Sequence, residues 1–228
     1  MRLKQRDIPE QLTFWNAWHR DRGASGDDAV HRDLREIFLK GMPEPSDVLD
    51  LGCGQGHDLR AMAQSGHRVA GIDFSPLAIR RARKRVYGWR FPRRRKGDLR
   101  VHDIADRLPF EDGRFGGVYS HLALHYFRDD VTRRIFREIE RVLSPGALLV
   151  FSVKSTDDPY YGDGERLGEH IFSRKGHVRH FFDEGYVKDL LDGWIVESTS
   201  TYRGHYACSE QSSFIRAVAR KGVVTKRS

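Results

Sequence analysis

The stretch Val48-Leu49-Asp50-Leu51-Gly52-Cys53-Gly54-Gln55-Gly56 decides the fold. Its first four residues read as a short buried strand, and glycines at alternate positions follow at once. Glycine lets the backbone turn through left-handed conformations and lets a ligand approach the main chain. The pattern is D-x-G-x-G-x-G. The dinucleotide fingerprint G-x-G-x-x-G would need glycine at 57, where His57 stands. Any tight turn calls for glycine, so the loop alone is weak evidence and the flanking sequence must carry weight.

Outward from that loop, strand and helix patterns alternate. A helix is expected over residues 59–65 and a strand over 68–73. Ser75-Pro76 then opens a helix, serine as its cap and proline at its first position. Strands are predicted at 99–102, 117–120 and 147–153. The helix over 130–143 is stopped by Ser144-Pro145-Gly146. Asp183 caps a helix with Tyr186, Val187, Leu190 and Leu191, and strands at 194–200 and 213–219 complete seven. The order predicts an α/β fold: a Rossmann-like, seven-stranded, mostly parallel sheet with helices on both faces. No helical pattern separates the last two strands, so the last strand is expected to be antiparallel. Before the sheet, residues 1–46 carry a short helix with Phe14, Trp15 and Trp18, a break at Gly23-Ala24-Ser25-Gly26, and a helix over 29–40. After the fifth strand, residues 154–182 read as long and irregular. Nothing suggests a linker, so one domain over 1–228 is expected.

Composition sets outer bounds. Of 228 residues 39% are apolar, enough for one core, and 32% are charged. The longest apolar runs are far too short for a bilayer. The basic N-terminus is followed by no apolar signal core, so a cytoplasmic protein with no membrane partner is expected. Cys53 and Cys208 lack the spacing of a zinc or redox pair. The net charge of +8 is local: residues 80–100 hold eleven basic residues against Asp98 alone, and the rest of the chain is slightly acidic.

Two further acids stand at strand ends. Asp73 closes the second strand, where a carboxylate can accept from both hydroxyls of a ribose. Asp103 follows the third, where it can accept from the exocyclic amine of adenine. Each alone is more often a turn or cap residue; three consecutive strand ends with matching chemistry read as a site.

With these pieces the sequence resembles the class I S-adenosylmethionine-dependent methyltransferases. The resemblance rests on Val48 to Gly56, Gly71-Ile72-Asp73-Phe74-Ser75-Pro76, His102-Asp103-Ile104, Leu108-Pro109-Phe110-Glu111-Asp112-Gly113-Arg114-Phe115, Ser120 to Phe127 and Arg141-Val142-Leu143-Ser144-Pro145-Gly146. It spans roughly residues 29–221 and departs at Ala147, where many relatives have a second glycine. It implies S-adenosyl-L-methionine as cofactor, its methionine part held by Asp50 and by Gly52, Cys53, Gly54 and Gly56. It implies Asp73 on the ribose, Phe74 beside the adenine, Asp103 and the backbone of Ile104 reading the adenine, and main-chain contacts from Ser120 near the sulfonium. In the family the N-terminal helices often cover the cofactor, which makes Trp15 a cofactor contact and residues 1–46 a lid.

Methyl transfer from a sulfonium is an in-line displacement on an activated donor, so alignment and exclusion of water matter most. A base is needed only if the acceptor must lose a proton. His125 and Tyr126 are the catalytic candidates. Trp18, His19, His121, Tyr160 and Tyr161 are candidate acceptor contacts, with residues 154–182 as the acceptor-side wall. His121 and His125 would share a face for a metal only on a helix, and no third ligand is spaced for it, so no metal is expected. Arg179 suits an anionic acceptor group, though a surface salt bridge is the plainer expectation.

The basic stretch, with Trp89 and Phe91 interleaved, would suit nucleic acid; a solvated helix face and a loop is the preferred reading, because no other basic patch accompanies it. Methyl transfer to a small-molecule acceptor, by a monomer or dimer, is therefore expected. The alternatives are an RNA or protein methyltransferase using residues 80–100, and a cofactor-binding module without transfer chemistry.

Overall fold

The computed structural model describes residues 9–21, 29–43, 45–88, 97–205 and 211–223. The chain runs through α1 (Pro9–Asp21), α2 (Ala29–Gly41), β1 (Asp47–Leu51), α3 (His57–Gln64), β2 (Arg68–Asp73), α4 (Pro76–Tyr87), β3 (Asp98–Val101) and β4 (Phe115–His121). It continues through α5 (Asp129–Val142), β5 (Leu143–Lys154), β6 (Glu165–Gly168), β7 (Ile171–Arg174), β8 (His177–His180), α6 (Glu184–Leu190), β9 (Ile195–His205) and β10 (Gln211–Arg220). Seven strands form one sheet in the order β3-β2-β1-β4-β5-β10-β9. All neighbouring pairs from β3 to β5 are parallel, and β10 runs antiparallel to both β5 and β9. The expected sheet, including its antiparallel last strand, is what forms.

Side chains of a strand alternate between faces, and here they alternate between two cores. Leu49, Leu51, Ala70, Ile72, Val118, Leu149 and Phe151 pack with Ile135 and Ile139 of α5 and Val187 and Leu190 of α6. Val48, Val69, Tyr119, Leu148 and Val150 pack on the other face with Leu34 and Phe38 of α2, Leu59 and Met62 of α3, and Ile79 and Val86 of α4. Near-continuous apolar strands thus need helices on both sides.

Local sequence sets the element ends. Ser75 caps α4 by accepting from the Ala78 N–H at 3.2 Å, with Pro76 at the first position, and Asp183 caps α6 by accepting from Tyr186 at 2.7 Å. The Ser144-Pro145-Gly146 stop acts as expected: Phe115 pairs with Leu143 but Gly117 with Leu148, so the intervening residues leave the ladder.

One expectation is corrected. The segment 154–182 is not irregular, because β6, β7 and β8 form an antiparallel meander. Lys175 and Gly176 both have positive φ, 50° and 75°, between the paired Arg174 and His177. Such two-residue turns match the twist of a hairpin. Strands of four residues leave too short an alternation to be read from sequence. The break at 23–26, residues 89–96 and Cys208 lie outside the described residues. Among those described, no helix is long and apolar enough to cross a membrane.

Phe38 is fully buried and meets Tyr119 edge-to-face at 5.5 Å between centroids. Phe38→Ala should lower the unfolding free energy by about 3–5 kcal/mol, the cost of a large core truncation, measured by urea denaturation. A loss below about 1 kcal/mol would show that α2 does not seal this core.

Candidate functional site

The glycine loop is fastened to the end of β2. The N–H groups of Gly52 and Cys53 donate to the Ile72 carbonyl at 2.9 and 3.0 Å, and that of Gly54 to Asp73 Oδ2 at 3.0 Å. Gly52, Gly54 and Gly56 all have positive φ. They differ in what they face. A Cβ on Gly52 would collide with Ala123, and one on Gly56 would lie 2.9 Å from Ala82 Cβ, so these two serve the packing of the chain on itself. A Cβ on Gly54 would meet only His19 Cε1, at 3.6 Å. The open side of the loop is therefore at Gly54, under α1.

Three buried acids stand here. Asp73 accepts from Ser75 N–H at 2.9 Å and from Gly54 N–H. Burial lifts its pKa to about 6, with the two N–H bonds holding it back. Asp50 is pushed well above the carboxylate range, by burial first and then by the charges of Asp58 and Asp73. Asp58, on α3, is answered by Arg35 at 3.0 Å and accepts from Tyr119 Oη at 3.2 Å. Among the described residues Asp50 and Asp73 take part in no ion pair. The three form an acidic cluster compensated at Asp58 only.

Other sequence candidates fall around it. Ser120 is buried, and its Oγ donates to the Leu51 carbonyl at 2.9 Å, tying β4 to β1 where the loop begins. Asp103 accepts from Ala105 N–H at 2.9 Å in a turn after β3. Ile104 is buried in the α5-side core, Phe74 is half-buried, and the Cys53 thiol is buried, its pKa pushed up by that burial and by Asp50 and Asp73.

Helix α1 lies over the loop. Ser75 Oγ donates to Asn16 Oδ1 at 2.6 Å, and both Gln55 Nε2 and Arg81 Nη1 donate to the His19 carbonyl. His19, an acceptor candidate in sequence, thus sits on the cofactor-loop side; burial, then Arg81, lowers its pKa to about 4. Trp15 packs edge-on to Tyr126 at 4.9 Å, and His177 lies 4.9 Å from Tyr126 and 4.5 Å from Phe14. Trp18 joins the cluster through Trp15 and Phe14. So α1, the turn after β4 and β8 converge on one aromatic patch. Sequence reasoning missed His177 as a site residue, because only the meander turn brings it there.

His125 belongs to a 3-10 turn at Leu124–Tyr126 and rests on Tyr126 at 4.2 Å. It is buried, which drives its pKa well below 6.5, helped by the charges of Lys154 and Arg179. His121 ends β4 with Nδ1 2.6 Å from Ser152 Oγ, so the two histidines do not share a helix face. Tyr160 lies between Lys154 and Arg179, 5.9 and 5.4 Å from its ring. Tyr161 turns away, to Phe172, Phe181 and the His170 ring. The surface salt bridge expected of Arg179 is absent among the described residues. The basic helix face is also not simply solvated: Arg81, Arg83 and Arg85 donate to the carbonyls of His19, Leu99 and Gln55.

Comparisons with known proteins agree with this geometry. A family model described as a methyltransferase domain matches residues 48–146. The 2-methyl-6-phytyl-1,4-hydroquinone methyltransferase of Synechocystis sp. is 34% identical over 179 residues, 78% of this chain and 49% of that protein. The 18S rRNA (guanine-N(7))-methyltransferase of Mus musculus is 34% identical over 94 residues, 40% of this chain and 31% of that one. The chain spans less than half the length of these curated relatives. The crystal structure of 1,6-didemethyltoxoflavin-N1-methyltransferase from Burkholderia thailandensis superposes with a TM-score of 0.71 at 21% identity, covering 95% of this chain and 88% of that one. The sheet order with its reversed final strand is thus the class I methyltransferase fold. Within it, residues 48–146 form a methyltransferase domain of the class I S-adenosylmethionine-dependent kind.

Burial, then the charge of Arg179, lowers the pKa of His177 to about 4. An NMR titration should therefore find its imidazole neutral at pH 6, where an exposed histidine, with a pKa of about 6.5, is mostly protonated. A midpoint near the exposed value would mean that α1 does not cover this ring.

Proposed function

We propose that the protein transfers a methyl group from S-adenosyl-L-methionine to a small-molecule acceptor, in a cytoplasmic setting. The observation that carries this is the pair of buried acids Asp50 and Asp73 beside the open face of Gly54. Carboxylates without ion-pair partners favour a cationic ligand, and the donor has a sulfonium and an ammonium. The same acids repel the pyrophosphate of a nicotinamide dinucleotide.

In this reading Asp50 and the loop from Gly52 through Cys53 and Gly54 to Gly56 take the methionine part. Each oxygen of Asp73 keeps a lone pair beyond its N–H bond and accepts from a ribose hydroxyl. Phe74 flanks the adenine, Asp103 and Ile104 read its edge, and Ser120 holds β4 at the sulfonium. Trp15 and α1 form the lid within residues 1–46, and 154–182 form the acceptor wall. The bound donor supplies an electrophilic methyl carbon. Around it the aromatic cover excludes water and narrows the acceptor's approach. His125, kept neutral by burial, accepts a proton where the acceptor must lose one; Tyr126 orients it. A small acceptor is favoured over RNA because three arginines of α4 are already committed to backbone carbonyls.

Calorimetry should find binding of S-adenosylmethionine and S-adenosylhomocysteine and none of NAD; the reverse would sink the reading. Gly54→Val should abolish or strongly weaken that binding while leaving the fold intact. The affinity should also depend on pH. Only the ionised Asp73 accepts from both hydroxyls, so binding of S-adenosylhomocysteine should strengthen as pH rises through about 6. In Asp73→Asn that inflection should vanish and affinity fall by about 1–3 kcal/mol. An inflection that survives the substitution would belong to another group.

A further inference from the structure

On the far side of the aromatic patch from the acids, the charge balance reverses. Lys154 is buried but satisfied: its Nζ donates to Asp158 Oδ2 at 2.7 Å and to Ser212 Oγ at 2.8 Å. Asp158 also accepts from the Ser213 and Tyr160 N–H groups at 3.0 Å each, which fixes the Tyr160 loop. That pair is neutral overall. Arg179 is not neutralised. It is half-buried on β8, and among the described residues no carboxylate meets it. Other half-buried arginines do meet carboxylates, Arg35 with Asp58 and Arg141 with Glu138 and Asp112, or spend their donors on backbone carbonyls, as Arg81 and Arg85 do.

The guanidinium carbon of Arg179 lies 5.4 Å from the centroid of Tyr160. A guanidinium held over a ring by its charge spends none of its five N–H donors on a hydrogen-bond acceptor there and keeps them for a second partner. Residues two apart on a strand share a face, so Arg179 points the way His177 points, toward the turn that carries His125 and Tyr126. The nearness is also felt electrostatically: Arg179 helps to lower the pKa of both His125 and His177. Each of those imidazoles keeps Nδ1 buried without a hydrogen-bond partner. Buried polar atoms without partners are costly; others occur elsewhere in the molecule, but these two stand with an unpaired cation, where a ligand's polar atoms would satisfy all three.

We propose that the methyl acceptor carries an oxyanion, a carboxylate or a phosphate, held by the in-plane N–H groups of Arg179 on the Tyr160 platform. The inference rests on the methyl-transfer reading above. It gives the site two opposite poles: acids for the cationic donor and Arg179 for the anionic acceptor. Drawn to separate ends, the two substrates meet at the aromatic patch, where alignment is what transfer requires.

The test uses the full chain saturated with S-adenosylhomocysteine and follows tryptophan fluorescence, since Trp15 and Trp18 border the patch. The probes are benzoate, phenyl phosphate and the neutral benzamide. At least one anion should bind saturably at millimolar concentration or below, and benzamide should not. Preference between the two anions separates carboxylate from phosphate. Arg179→Ala should weaken anion binding about tenfold or more, as loss of a charge-assisted contact does, and leave S-adenosylhomocysteine affinity unchanged. Arg179→Lys should recover part of the anion binding. Benzamide binding as well as benzoate, no saturable binding of either anion, or anion affinity indifferent to Arg179→Ala would each overturn the proposal while the cofactor reading stands. Failure of the wild type to bind S-adenosylhomocysteine would instead bring down both.

Discussion

The carboxylate of Asp73 is the joint on which the site hangs. One oxygen holds the N–H of Gly54, the other that of Ser75, so a single side chain fastens the turn after β1 to the start of α4. Ser75 passes the constraint on: its hydroxyl caps α4 and reaches Asn16 on α1. Three segments far apart in sequence are thereby held around one carboxylate. Holding it dry has a cost, seen in its elevated pKa, and the two N–H bonds offset part of that cost.

The sheet explains why the charges sit where they do. Strands buried on both faces leave no room for ionised groups except at their ends. Asp50 and Asp73 stand at the carboxyl ends of β1 and β2, and Lys154 ends β5. Position across the sheet then becomes position along an electrostatic gradient. The acids gather at β1 and β2, while the unpaired cation Arg179, on the meander, stands beyond β4.

The parts of this structure that were legible in sequence are those fixed within a few residues. The buried strands, the Ser75-Pro76 cap, the Asp183 cap and the left-handed glycines each follow from local sterics or hydrogen bonds. What was not legible depends on contacts across the chain. The meander hides because its strands are short and its turn begins with a lysine. His19 reads like any helical histidine until α1 is seen lying on Gly54. Arg81, Arg83 and Arg85 look like a solvated face, yet their carbonyl partners come from three other segments. His177 takes its place only when β8 has folded back against the turn after β4.

The contact between Gly56 and Ala82 carries a further consequence. The residue that opens α3 and the middle of α4 approach so closely there that a Cβ on Gly56 would lie 2.9 Å from Ala82 Cβ. Enlarging either residue consumes the same missing space, so the energies of changes at 56 and 82 are not additive. The spacing also sets where α4 delivers its guanidinium groups, since Arg85 reaches Gln55 and Arg81 reaches His19 from that helix. Positions 56 and 82 therefore form one unit of sequence variation: a change tolerated at one is conditional on the other, and drift at this pair is transmitted to the rest of the loop and to its cover.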